Sequence, residues 1–183
     1  MSATRRRFVK PLVAALMLGL LLVGVTACGS GNPREVEEGE VVKVGGLEYT
    51  VVFSRYLNES DNEDVAYLEG QEPIENEHNY FGVFLQVFNP NHSSFTVAHT
   101  LTITDAEGHR YKALQSESEY AFPFSSILEE NEPIPTNDSS AQSGPILGAV
   151  AIFDLPEEVS SERPLLLHIP GAPGDSGTVK LDL

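Results

Sequence analysis

From Glu40 onward the apolar positions recur with a period of two rather than 3.6, which is the signature of strands. Glu40-Val41-Val42-Lys43-Val44 and Leu47-Glu48-Tyr49-Thr50-Val51-Val52-Phe53 flank Gly45-Gly46. Glycine accepts positive φ, so this pair suits a two-residue turn and predicts a hairpin. Residues 80–88 are aromatic and β-branched, and Asn89-Pro90-Asn91 stops them. Phe95, Val97, His99, Leu101 and Ile103 then alternate with Thr96, Ala98, Thr100, Thr102 and Thr104. That pattern predicts a half-buried strand with a threonine-rich outer face and His99 on its apolar side, where an imidazole needs a hydrogen-bond partner. Asp105-Ala106-Glu107-Gly108 turns this strand into residues 109–114, and residues 149–153, 165–169 and 178–183 supply three more. About eight short strands with no long helical pattern predict an all-β, antiparallel β-sandwich.

One short helix is expected in a long loop. Ser60-Asp61-Asn62-Glu63 has the form of a capping box, in which hydroxyl and carboxylate satisfy free backbone amides. Val65-Ala66-Tyr67-Leu68 follows, and Gly70 can end the helix in a left-handed turn. Two connections, residues 58–79 and 115–145, exceed the usual spacing between strands. Long ordered loops on a rigid sandwich are where binding residues concentrate.

The N-terminus changes the picture from a fold to an address. Arg5, Arg6, Arg7 and Lys10 precede an apolar stretch over residues 11–27, shorter than the ~20 residues a membrane span takes. This reads as a cleavable export signal covering residues 1–27. Val25-Thr26-Ala27-Cys28 resembles the bacterial lipobox. The resemblance implies cleavage between Ala27 and Cys28, lipidation of the Cys28 sulfur and a lipoprotein on the outer face of the cytoplasmic membrane. Residues 28–38, opening with Gly29-Ser30-Gly31-Asn32-Pro33, are expected to be a tether, and residues 39–183 the folded domain. Thr4-Arg5-Arg6-Arg7-Phe8-Val9-Lys10 also resembles a twin-arginine signal, whereas the strongly hydrophobic stretch suits the general secretory route; both routes lead outside the membrane. Cys28 is the sole cysteine, so the domain has no internal disulfide to rely on.

Charge narrows the partners. Over the whole chain 27 acids face 11 bases; beyond residue 27 the bases fall to 7, a formal charge of −20. Nucleic acid and anionic lipid headgroups both call for a basic face and are excluded as natural partners. A basic envelope protein or a cell-wall component fits the sign.

The segments Gly39-Glu40-Val41-Val42-Lys43-Val44-Gly45-Gly46-Leu47-Glu48-Tyr49-Thr50-Val51, Phe84-Leu85-Gln86-Val87-Phe88-Asn89, Leu101-Thr102-Ile103-Thr104-Asp105-Ala106-Glu107-Gly108-His109-Arg110-Tyr111 and Gly148-Ala149-Val150-Ala151-Ile152-Phe153-Asp154-Leu155-Pro156 occur in an order that is similar to an uncharacterised family of immunoglobulin-like domains on bacterial, chiefly Gram-positive and actinobacterial, lipoproteins. The resemblance covers residues 39–169. It implies an immunoglobulin-like sandwich and an envelope location. It supplies no catalytic residues, and the long acidic and proline-rich loops depart from the pattern.

Candidate chemistry sits in those loops. Asn58, Ser60, Asn62 and Asp64 fall at alternate positions, and Glu69 is twelfth counting from Asn58, a spacing that resembles a calcium loop. Asn at the first position and Glu63 at the sixth, where glycine belongs, depart from it, and a solvated acidic face is the competing reading. Tyr120, Phe122 and Phe124 would share one face of a strand, either exposed to a partner or buried to pin the loop. The histidines, His78, His92, His99, His109 and His168, show no paired ligand spacing, so a metal site would need them to converge from separate strands. No G-x-S-x-G, Walker or dinucleotide glycine pattern occurs, and neither an enzyme nor a cofactor is expected. The expected function is a lipid-anchored, non-catalytic binding module. Cation or small-ligand capture at the acidic loop is the alternative, and an envelope hydrolase the third reading.

Overall fold

The computed structural model describes residues 35–74 and 77–181. The export signal, the Ala27–Cys28 junction and most of the tether lie outside the described residues. Among those described, twelve strands form: β1 Glu35–Glu37, β2 Val41–Val44, β3 Leu47–Tyr56, β4 His78–Phe88, β5 Phe95–Thr96, β6 Thr102–Thr104, β7 Arg110–Lys112, β8 Ile127–Leu128, β9 Pro133–Ile134, β10 Ala149–Pro156, β11 Leu165–Pro170 and β12 Ser176–Leu181. Two short helices, α1 Asn62–Tyr67 and α2 Ser140–Ser143, and a 3-10 turn at Glu157–Ser161 complete the set.

The strands make a β-sandwich. One sheet runs β1-β12-β11-β6-β7, the other β10-β4-β3-β2 with β9 continuing along β4 beyond β10. Their inner faces bury Val42, Val44, Leu47, Tyr49, Val51, Phe81, Phe153, Leu165, Leu167 and Val179. The β2–β3 hairpin turns through Gly45 and Gly46 at φ +61° and +83°, both in the region glycine enters without strain. The short strand β1 falls inside the stretch expected to be tether. It pairs with β12 in parallel, Val36 opposite Val179, and Val36 is buried, so the domain reaches back to Glu35.

The strand expected over residues 95–104 is broken. β5 pairs with β8, β6 pairs with β11 and β7, and between them Val97 and Ala98 are buried in succession. Two adjacent buried residues reset the alternation, and His99 is exposed rather than apolar-facing. At α1 the cap also shifts by one residue. Asp61, not Ser60, accepts hydrogen bonds from the amides of Glu63 (2.9 Å) and Asp64 (3.4 Å).

β4 is the central strand of its sheet, and residues 80–85 are buried without interruption. The inner face of this sheet meets the main core. Its outer face carries a second cluster, Leu57, Tyr67, Leu68, Tyr80, Phe84, Val150 and Ile152, with Leu114, Tyr120 and Ile146 packed against it. Both long connections therefore fold over the same outer face, one through α1 and the other through Tyr120. The second connection also closes the free edge of β10: the amides of Leu114 and Phe122 donate to the Ile152 and Val150 carbonyls (2.7 and 2.8 Å), and the Val150 amide donates to Tyr120 O (2.8 Å). A covered edge has no unpaired backbone to template association with another strand.

Candidate functional site

The acidic connection is a pinned structure. Arg55, on β3, reaches the Asp64 carboxylate with both guanidinium nitrogens, Nη1 to Oδ2 at 2.8 Å and Nη2 to Oδ1 at 2.5 Å. The Asn58 amide donates to the same Oδ2 at 2.7 Å. The Asp64 side chain is 3% exposed and Arg55 28%. Burial by itself raises the Asp64 carboxyl, but hydrogen bonds from Arg55 and the Asn58 amide outweigh it and hold the group below its ordinary value. Tyr67 inserts from α1 and meets Phe84 and Tyr120 edge-on, each ring centroid 5.1 Å away. Burial, then the neighbouring Glu63 carboxylate, push its phenol up to about 12. The Ser118 hydroxyl donates to Ala66 O (2.7 Å), the Tyr80 hydroxyl to Glu72 O (2.6 Å) and the Gln71 amide to Gln115 O (2.7 Å).

These ties leave an open cavity of about 450 Å³ between α1 and the chain after it. Val65, Ala66, Leu68, Pro73 and Tyr80 give it apolar walls, Glu59, Glu69 and Glu72 give it three carboxylates, and Gln71 completes the lining with no lysine or arginine. Such a surface suits a group with an aliphatic body and a cationic end.

The calcium-like reading of this loop does not hold in the structure. Asp64 is buried in a two-point ion pair with Arg55, whose fixed positive charge opposes an incoming cation, and Asn58 Oδ1 accepts from the Ser60 amide at 2.9 Å. The spacing of Asn58, Ser60, Asn62, Asp64 and Glu69 reflects an Asx turn leading into a capped helix. Nor do Tyr120, Phe122 and Phe124 form an exposed platform. Phe122 is 3% exposed in the main core with Phe124 edge-on to it at 5.0 Å, while Tyr120 turns to Tyr67 on the other side of the sheet. The chain over 120–122 lies along the edge of β10, so alternate rings enter two different clusters.

One group went unread in the sequence. Asp105, at the start of the β6–β7 turn, has a side chain of 0% exposure. Its Oδ1 accepts from the Glu107 and His109 amides, both at 2.9 Å. Its Oδ2 lies 3.0 Å from His109 Nδ1 and accepts from the Tyr111 hydroxyl at 3.0 Å. Glu162, in the segment entering β11, is brought alongside by a bond from the Ala106 amide to Glu162 O (3.3 Å). Donor atoms of Asp105, His109 and Glu162 lie within 4.8 Å of one another, and among the described residues this is the one such group of three His, Cys, Asp or Glu. Burial would raise Asp105, but Tyr111 and His109 outweigh it and lower its pKa; Asp105 in turn raises His109. Burial, then Glu107, Asp105 and Glu158, raise Glu162. The sequence marked Asp105 to Gly108 only as a turn; the Asp-x-x-Gly-His spacing was the available signal, and Glu162 had none.

The other histidines are dispersed. His78 pairs with Asp154 (2.7 Å), His92 with Glu130 (2.5 Å), and His168 faces Thr178 Oγ1 (3.3 Å), its pKa lowered by burial and then by Arg110.

The fold defines the class: an all-β sandwich with both long loops laid over one sheet. Solved structures share the β-sandwich fold. A Bacillus subtilis protein, yjhA, aligns over 80% of this chain and 99% of its own at 14% identity and a TM-score of 0.53. The secreted protein MPT63 of Mycobacterium tuberculosis aligns over 84% and 100% at 11% identity and a TM-score of 0.53. An uncharacterised β-sandwich protein of Clostridium difficile 630 covers 82% and 95% at 18% identity, with a TM-score of 0.48. No family model matches the chain, and no curated protein matches it. The likeness read from the strand order thus stands at the level of a bacterial β-sandwich.

Proposed function

We propose that this protein is a lipid-anchored, extracytoplasmic, non-catalytic binding module that recognises a basic envelope protein through the acidic cavity beside α1. The observation that carries the reading is the cavity itself: three glutamates and an apolar wall, without a base, on a loop fixed by Arg55, Tyr67 and Ser118. A pre-formed surface loses little conformational freedom on binding. A lysine or arginine of the partner would lay its methylene stem on Val65, Leu68 and Tyr80 and set its charge among Glu59, Glu69 and Glu72. The leader and the Val25-Thr26-Ala27-Cys28 sequence support export and lipidation at Cys28, and MPT63, named a secreted protein, has the same fold. The formal charge of −20 beyond residue 27 speaks against nucleic acid.

The test is calorimetric titration of the full chain, in detergent micelles, with a lysine-rich peptide. Glu59→Gln/Glu69→Gln/Glu72→Gln is compared with a charge-matched control, Glu35→Gln/Glu130→Gln/Glu157→Gln. Three exposed ion pairs of about 0.5 kcal/mol each predict about tenfold weaker binding for the first variant. Little change is expected for the second. Equal weakening in both would reject the cavity as the site and leave diffuse attraction to a −20 surface.

A further inference from the structure

We propose that Asp105, His109 and Glu162 form a binding site for a divalent first-row metal ion, with Zn²⁺ the best match. The site is separate from the acidic cavity and does not depend on the basic-partner reading. Three observations carry it. First, the donors converge from two chain segments, with one donor atom of each within 4.8 Å of the others. The Ala106 amide to Glu162 carbonyl bond holds those segments together.

Second, the carboxylate is oriented before any ion arrives. Two backbone amides fix Asp105 Oδ1, which points Oδ2 at the imidazole, and the Tyr111 hydroxyl braces Oδ2 from another side. Outer hydrogen bonds of this kind hold a metal-ligating carboxylate in place. Third, the Asp105 Oδ2 to His109 Nδ1 separation of 3.0 Å is close to the distance between two ligands of one tetrahedral ion. Zinc bonds of 2.0–2.2 Å place such ligands about 3.3–3.6 Å apart, a few tenths of an ångström wider than the pair stands.

One imidazole nitrogen and two carboxylates suit Zn²⁺ better than Ca²⁺, which takes six or more oxygens. On binding, the ion takes the place of the proton between His109 Nδ1 and Asp105; the ring ligates as the neutral Nε2–H tautomer, so an imidazolium releases one proton to solvent, while a neutral ring exchanges its Nδ1 proton for one on Nε2 with no net release. Water completes the coordination. Glu107 and Glu158 face Glu162 and add negative charge around the ion.

The experiment is calorimetry of the full chain with ZnCl₂ alone, in a buffer that does not bind zinc. One ion per chain is expected. His109→Gln and Glu162→Gln are each expected to lower affinity at least about tenfold, while His92→Gln leaves it unchanged. Co²⁺ in place of zinc is expected to give visible ligand-field bands that disappear in His109→Gln. His109 is 61% exposed, and neither it nor Glu162 is in the core, so both variants keep the fold. Matching circular-dichroism melts check this, whereas Asp105→Asn would disturb the turn itself. No heat at millimolar zinc, or equal binding by the parent and both variants, would overturn the site.

Discussion

Asp64 shows how one buried carboxylate can organise a long acidic loop. It joins Arg55 of β3 to the Asn58 amide and to α1, and its removal leaves a partly buried guanidinium with only the Tyr56 carbonyl and the more distant Glu63 carboxylate as partners. Asp64→Asn is expected to cost about 2 kcal/mol by urea denaturation. The pH dependence follows from the direction of the shift. The folded Asp64 titrates below its unfolded value, so its stabilisation is complete above about pH 4, the ordinary aspartate range, and is lost as pH falls through the lower folded value. Between about pH 4 and 2 the parent should therefore lose more stability than Asp64→Asn. Phe122, buried in the main core, makes the same argument for the second loop. Phe122→Ala is expected to cost about 3 kcal/mol.

Among the elements, the close approach of β12 to β2 sets a tight constraint. A Cβ on Gly177 would stand 2.6 Å from Val42 Cγ2 and 2.7 Å from Val44 Cγ2. Gly177→Ala must push the sheets apart or bend β12, at about 1–2 kcal/mol and a few degrees in thermal melting. The elements that were legible in the sequence are those whose pattern is local. The β2–β3 hairpin announced itself through Gly45-Gly46 between alternating runs, and β4, β10, β11 and β12 through their apolar content. What was not legible depends on distant partners. Nothing near Glu35 says that it will pair with Thr178, and β5 and β6 separate because one pairs with β8 and the other with β11. The acidic loop stands out in the sequence by its eight acids between Glu59 and Glu77. Its chemistry was misread because Arg55, which consumes Asp64, lies on a neighbouring strand outside the loop.

For the whole molecule, the two loops turn a two-sheet sandwich into a body with a third, partial layer. That layer covers the apolar outer face of the β4 sheet, closes the β10 edge and presents the cavity. Acids are spread over the chain well beyond this cavity, and a formal charge of −20 beyond residue 27 attracts any cation weakly. Location, more than affinity, therefore separates a built site from general attraction. The most direct measurement is amide chemical-shift mapping of the isotope-labelled full chain titrated with the lysine-rich peptide in moderate salt, where diffuse attraction is screened. Shifts should concentrate at Glu59, Val65, Leu68, Glu69, Gln71 and Tyr80 and be small at Gly45, His99 and Gly171, which lie around a different cavity. Small shifts spread evenly over the exposed acids, with none larger around α1, would contradict the assignment of this cavity as the recognition site.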